Sequence, residues 1–124
     1  MNIILKSAIL LSVGLPIAAS AHHSFAMFDQ HKEVKLIGVV REFQFTNPHI
    51  WIQVVVPKAG ARPAVEWSIE GASVNTLKRL GWSRRSIKPG DKVTVLINPM
   101  KDGSNGGALK TITLPDGTVL GRSG

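Results

Sequence analysis

The sequence is 124 residues long, carries a formal net charge of +7 and contains no cysteine, so disulfides, a thiolate nucleophile and cysteine metal ligation are all excluded. That length suits one small domain with a modest core. The basic balance raises nucleic acid as a partner, but the charges are scattered along the chain and its first segment reads as an export signal, which argues against it.

Residues 1–21 have the order of a secretory signal. Lys6 is the single charge, Ser7 to Ala21 is mostly apolar, and Pro16 precedes the small residues Ala18, Ala19, Ser20 and Ala21. The apolar run is short for a membrane span, which needs roughly 20 residues, and no second run of that length follows. Cleavage is therefore expected, with no stable span left after it; an uncleaved anchor is the alternative. An exported chain without cysteine fits a periplasmic or secreted protein. Residues 22–32 read as an extended N-terminal arm and residues 33–124 as the folded domain.

In that domain the pattern has period two. Val34, Leu36 and Val40 share one phase and Phe43 and Phe45 the other, so a bulge or bend is predicted between Gly38 and Glu42. After a tight Thr46-Asn47-Pro48 connection, Ile50, Ile52, Val54 and Val56 mark a second strand. Beyond the "PKAGARP" loop, Val65, Trp67 and Ile69 face inward in a third, with Glu66, Ser68 and Glu70 facing outward. Ser73 is placed to cap a short helix through Val74, Leu77 and Leu80 that Gly81 ends. Val93, Val95 and Ile97 mark a fourth strand, "ALKTITL" a fifth, and "PDGTVL" a turn with a short final strand. The order β-β-β-α-β-β predicts a mainly β protein, a small five-stranded Greek-key (OB-like) barrel with one short helix between strands 3 and 4. A short sandwich is the alternative.

The motifs "HHSF" at 22–25, "TNPHIW" at 46–51, "WSIE" at 67–70, "LGWSRRSIKPGDKVTV" at 80–95, "MKDGSNGGA" at 100–108 and "LPDGTVL" at 114–120 occur together. This combination resembles a family of small exported bacterial proteins of unknown function. The resemblance implies export, a single compact domain and a mature His-His-Ser-Phe start. It implies no activity.

Histidine carries the sharpest chemistry. The four histidines are His22, His23, His31 and His49. Cleavage after Ala21 makes His22 the first residue, so its α-amine and ring can chelate one metal; His23 adds a second imidazole. His49 supplies a third if the arm folds back across the barrel. Such nitrogen-rich coordination suits Cu(II). Cleavage after Ala19 or Ser20 instead puts histidine second or third from the amine, which also suits Cu(II) or Ni(II). Soft Cu(I) prefers Cys or Met, and beyond the signal segment the chain offers Met27 and Met100. Against a metal role, the paired histidines of an exposed terminus need only be solvated, and His49 at a strand start can be structural. His31, in a polar stretch, is expected to be exposed.

Other chemistry is sparse. Glu66 and Glu70 on one strand face stand roughly 13 Å apart, beyond the carboxylate spacing of about 6.5–9.5 Å used by inverting glycosidases. No Ser occupies a G-x-S-x-G elbow, and "KDGSNGGA" connects two strands as a hairpin loop. Trp67 belongs to the core by phase, Trp82 to a lid on the barrel end, and Trp51 to an exposed face or the space beneath the arm. The expectation is a binding module rather than an enzyme, with Cu(II) bound by His22, His23 and His49. A small copper oxidase or oxygenase ranks below that. The alternative is an interaction protein that docks an exported partner through the barrel face and the basic segment Lys78–Lys92.

Overall fold

The structure, a computed structural model, describes residues 23–60 and 62–122. The expected signal segment and His22 lie outside the described residues. A helical turn, α1 (His23–Ala26), precedes strands β1 (Val34–Gln44), β2 (Trp51–Val56), β3 (Val65–Glu70), β4 (Lys92–Pro99), β5 (Gly106–Thr113) and β6 (Val119–Gly121), with helix α2 (Val74–Arg79) between β3 and β4. Pairing runs β3-β2-β1-β4-β5-β6, and a parallel pairing of β3 with β5 closes β1 to β5 into a barrel. The mainly β, OB-like barrel predicted from element order is the fold observed. The sandwich does not form, because the β3–β5 seam leaves the sheet no opening into two layers. No helix among the described residues is long and apolar enough to cross a membrane.

The barrel is filled by the residues that share a phase in each strand. Ile52, Val54, Ile69, Val95, Ile97, Leu109 and Ile112 are fully buried. The phase switch in β1 is a bulge: Val40 pairs with Val54 and Glu42 with Gln53, leaving Arg41 as the extra residue. It turns the Arg41 guanidinium outward to bond Glu66. Just before it, Gly38 leaves room for the neighbouring strand, since a Cβ there would collide with the carbonyl oxygen of Val55. A second bulge lies opposite Leu96 and Ile97, which pair with Thr111 and Leu109 and leave Lys110 unpaired. The sequence reading missed it, although the three-residue step from Leu109 to Ile112 is the same kind of phase signal.

Helix α2 has the predicted ends. The Ser73 Oγ accepts from the Thr76 N–H at 3.3 Å, Leu77 faces the core, and Gly81 takes φ +90°. Trp82 is buried as the expected lid and donates from Nε1 to the Gly121 carbonyl at 3.0 Å.

The arm departs from a plain extended segment. Its first four described residues form α1, which puts Phe25 and Phe28, three positions apart, on one side of the chain. Residues 27–29 then pair with the end of β4. Phe28 bridges Met100, Asp29 N–H donates to Pro99 O at 2.8 Å, and Lys101 N–H donates to Met27 O at 2.9 Å. Farther along, the buried Asn98 side chain donates to the Lys32 carbonyl at 2.8 Å. The arm is thus fastened at two points to the strand that leads back into the core.

Candidate functional site

Phe28 is the anchor of the arm. It is nearly fully buried, and it lines three adjoining cavities at the barrel end. The largest, about 320 Å³, lies between Phe25 and Phe28 of the arm, His49 and Glu70 at the ends of β2 and β3, and Arg122. A smaller one, about 190 Å³, is shared by Met27, Trp51, Ser68, Glu70 and Met100. Phe28 and Glu70 belong to both, so they form the partition between them.

His49 is held by the continuation of the β2–β3 ladder past its named ends. Gly71 N–H donates to Ile50 O at 3.0 Å and Ile50 N–H to Ala72 O at 3.1 Å. That pairing sets the His49 ring against the Gly71 carbonyl, with Nδ1 at 3.1 Å. A carbonyl only accepts, so this contact requires the proton on Nδ1, and in the neutral ring Nε2 then holds the lone pair. Metal-binding imidazoles are oriented by this kind of bond. Gly71 itself has no space for a side chain, because a Cβ there would meet Ile50 Cγ1 at 2.5 Å.

Glu70 corrects the outward assignment made from phase. Its partner in that assignment, Glu66, is exposed, but the Glu70 side chain is only 11% accessible, and Oε1 is 3.6 Å from His49 Nδ1. The reason is position: Glu70 ends β3 under the arm, where Phe28 closes over it. Burial pushes its carboxyl pKa above the ordinary value, and the coulombic attraction of the His49 ring, exerted when that ring is charged, opposes the shift. A cation beside Glu70 would relieve the same cost.

Of the sequence-predicted ligands, His49 faces the cavity that the arm covers. His23 begins α1, two residues before Phe25, and His22 lies outside the described residues. His31 is exposed, as expected, and its N–H bonds Asp29. Among the described residues, no group of three or more His, Asp or Glu side chains is gathered into a metal cage. Trp51 lies beneath the arm and Trp67 packs against the core. Sequence reasoning missed Glu70 and Arg122 as lining residues. The apolar Phe25 and Phe28 within a polar arm were the available signal that something there is covered.

The family model that matches the chain, over residues 9–110, is described as a family of unknown function, DUF6152. No curated protein and no solved structure matched.

Proposed function

The chain belongs to the DUF6152 family of unknown function, and we propose that this protein is a small exported binding module that holds Cu(II) at its mature N-terminus, through His22 and His23 with His49 as a third nitrogen donor. The observation that carries the reading is the arm-covered cavity. Phe25 lines it together with His49, whose Nδ1 is turned to the Gly71 carbonyl, so that in the neutral ring Nε2 is the nitrogen left to ligate. The arm brings Phe25 back against His49, and the proposed terminus, His22, lies three residues before Phe25 in the sequence. Glu70 adds negative charge on the same wall, which favours a divalent cation over a neutral ligand.

The test is a competitive Cu(II) titration of the natively exported protein, after mass spectrometry has fixed its first residue. Tight binding that collapses when one residue is added ahead of the native terminus, and weakens in His49→Ala, is the expected result. Weak binding that is equal in all three proteins overturns it.

A second reading is supported by the surface. Lys78, Arg79, Arg84, Arg85, Lys88 and Lys92 are all exposed, as an acidic exported partner would require. Retention of a partner by His22→Ala/His23→Ala, and its loss when Arg84 and Arg85 become Glu, would favour that reading.

A further inference from the structure

Beyond residue 21 the chain has two methionines, Met27 in the arm and Met100 at the end of β4. Nothing in the sequence brings them together, yet both line the smaller cavity. The bridge between Phe28 and Met100 and the bond from Lys101 N–H to Met27 O fix the two segments side by side. Met100 is laid along β5: a Cβ added to Gly106 would stand 3.4 Å from its Cγ and 3.9 Å from its Sδ. The Trp51 ring and the Glu70 carboxylate line the same cavity. Met27 remains 43% accessible, so the cavity opens to solvent on the arm side.

We propose that this cavity is a site for a soft monovalent cation, Cu(I) or its redox-inert analogue Ag(I), held by the thioethers of Met27 and Met100 against Trp51 and Glu70. Each component answers a chemical need. Thioether sulfur is a soft, polarizable donor that selects Cu(I) over hard cations. An indole face attracts a cation without demanding a hydrogen bond. One carboxylate balances one positive charge, so the site is neutral when filled, and the partly buried Glu70 gains the counter-charge that burial denies it. Divalent zinc, calcium and magnesium fit poorly: Ser68, Ser104 and Asn105 add neutral oxygens to the wall, but zinc prefers thiolate, imidazole and carboxylate donors, and calcium and magnesium an all-oxygen shell without thioethers. The site uses none of His22, His23 and His49 as donors and shares only the partition of Phe28 and Glu70 with the Cu(II) cavity, so it goes beyond the Cu(II) reading and is tested by its own donors, Met27 and Met100.

The experiment is an Ag(I) titration of the exported protein carrying 13C-methyl methionine. Met27 and Met100 give two methyl resonances, assigned by Met27→Leu and Met100→Leu. The expected result is that both move together and saturate at one equivalent. Either leucine variant should weaken Ag(I) binding by about 100-fold, the upper end of what loss of even an outer-shell partner causes. Quenching of tryptophan fluorescence by Ag(I) should be lost in Trp51→Phe. Leucine conserves the volume of methionine, and at the exposed Met27 it leaves the core untouched, so an amide spectrum of native dispersion is expected throughout. Met27→Leu/Met100→Leu should leave Cu(II) binding unchanged, and His22→Ala/His23→Ala should leave the Ag(I) response unchanged. Methyl resonances that stay still at one equivalent, or that move with separate midpoints, overturn the proposal. So does an Ag(I) response that disappears with the histidines.

Discussion

Glu70 and Asp102 are carboxylates in opposite circumstances, and their pH signatures have opposite signs. Asp102 is exposed in the β4–β5 hairpin loop, where its Oδ1 accepts from the hydroxyl of Ser104 at 2.6 Å and from its N–H at 2.9 Å. These bonds hold its pKa below the ordinary value of 3.8. The stability they contribute is present above that value and is lost as pH falls through the depressed pKa. Asp102→Asn should therefore lower the Tm near neutrality and approach the native Tm in strong acid. Burial raises the pKa of Glu70 above 4.5. The protein is then favoured while that carboxyl is protonated, and the advantage is lost as pH rises through the raised value. Glu70→Gln should raise the Tm at pH values above the raised pKa of Glu70, and the gain should fade as pH drops into the ordinary carboxylate range. Calorimetry of the two variants across pH checks both signs in one series.

At the scale of the element, the arm behaves as an added partial strand. Its backbone makes two hydrogen bonds to the end of β4, but one buried side chain, Phe28, does most of the packing. Phe28 is not part of the main hydrophobic cluster inside the barrel, so its removal should detach the arm without collapsing the core. Truncation of a buried Phe typically costs about 3–5 kcal/mol. Phe28→Ala should fall at the low end, about 3 kcal/mol, because the site borders open cavities into which neighbours can relax. In the same variant, amides of residues 27–32 should lose protection while those of β1 and β2 keep it; uniform loss would show that the arm is integral to the core. Asn98, bonding the Lys32 carbonyl, fixes the point at which arm becomes barrel.

For the whole molecule, the strands were legible because alternation survives wherever one face is buried. The β1 bulge was legible because Phe43 and Phe45 switch phase against Val40. The helix was legible from Ser73 and Gly81. Less was readable where structure depends on distant pairing. The β3–β5 closure joins Ser68–Glu70 to Gly106–Ala108, and no periodicity announces it. Glu70 was assigned outward because phase describes a strand, not the segment that later lies across its end. The helical turn of the arm escaped because four residues make too short a window for a 3.6-residue period. The meeting of Met27 and Met100 required the arm to return to β4, which no local signal encodes.

The β3–β5 seam has a consequence for motion. It is a short parallel ladder in a barrel otherwise held by longer antiparallel ones, and parallel pairing is slightly less stable per residue. Breathing of the barrel should begin there, as a local opening below the free energy of global unfolding. Ser68, Glu70, Gly106 and Gly107 border both this seam and the smaller cavity, so the same crack that lets water in also loosens the cavity wall. Native-state hydrogen exchange should find the Ser68 amide, which bonds Asn105 O at 3.1 Å, exchanging faster than the amides of Val54 and Val95. Whatever fills the cavity would act as a clasp across that crack, and its binding would be felt first as a slowing of the seam.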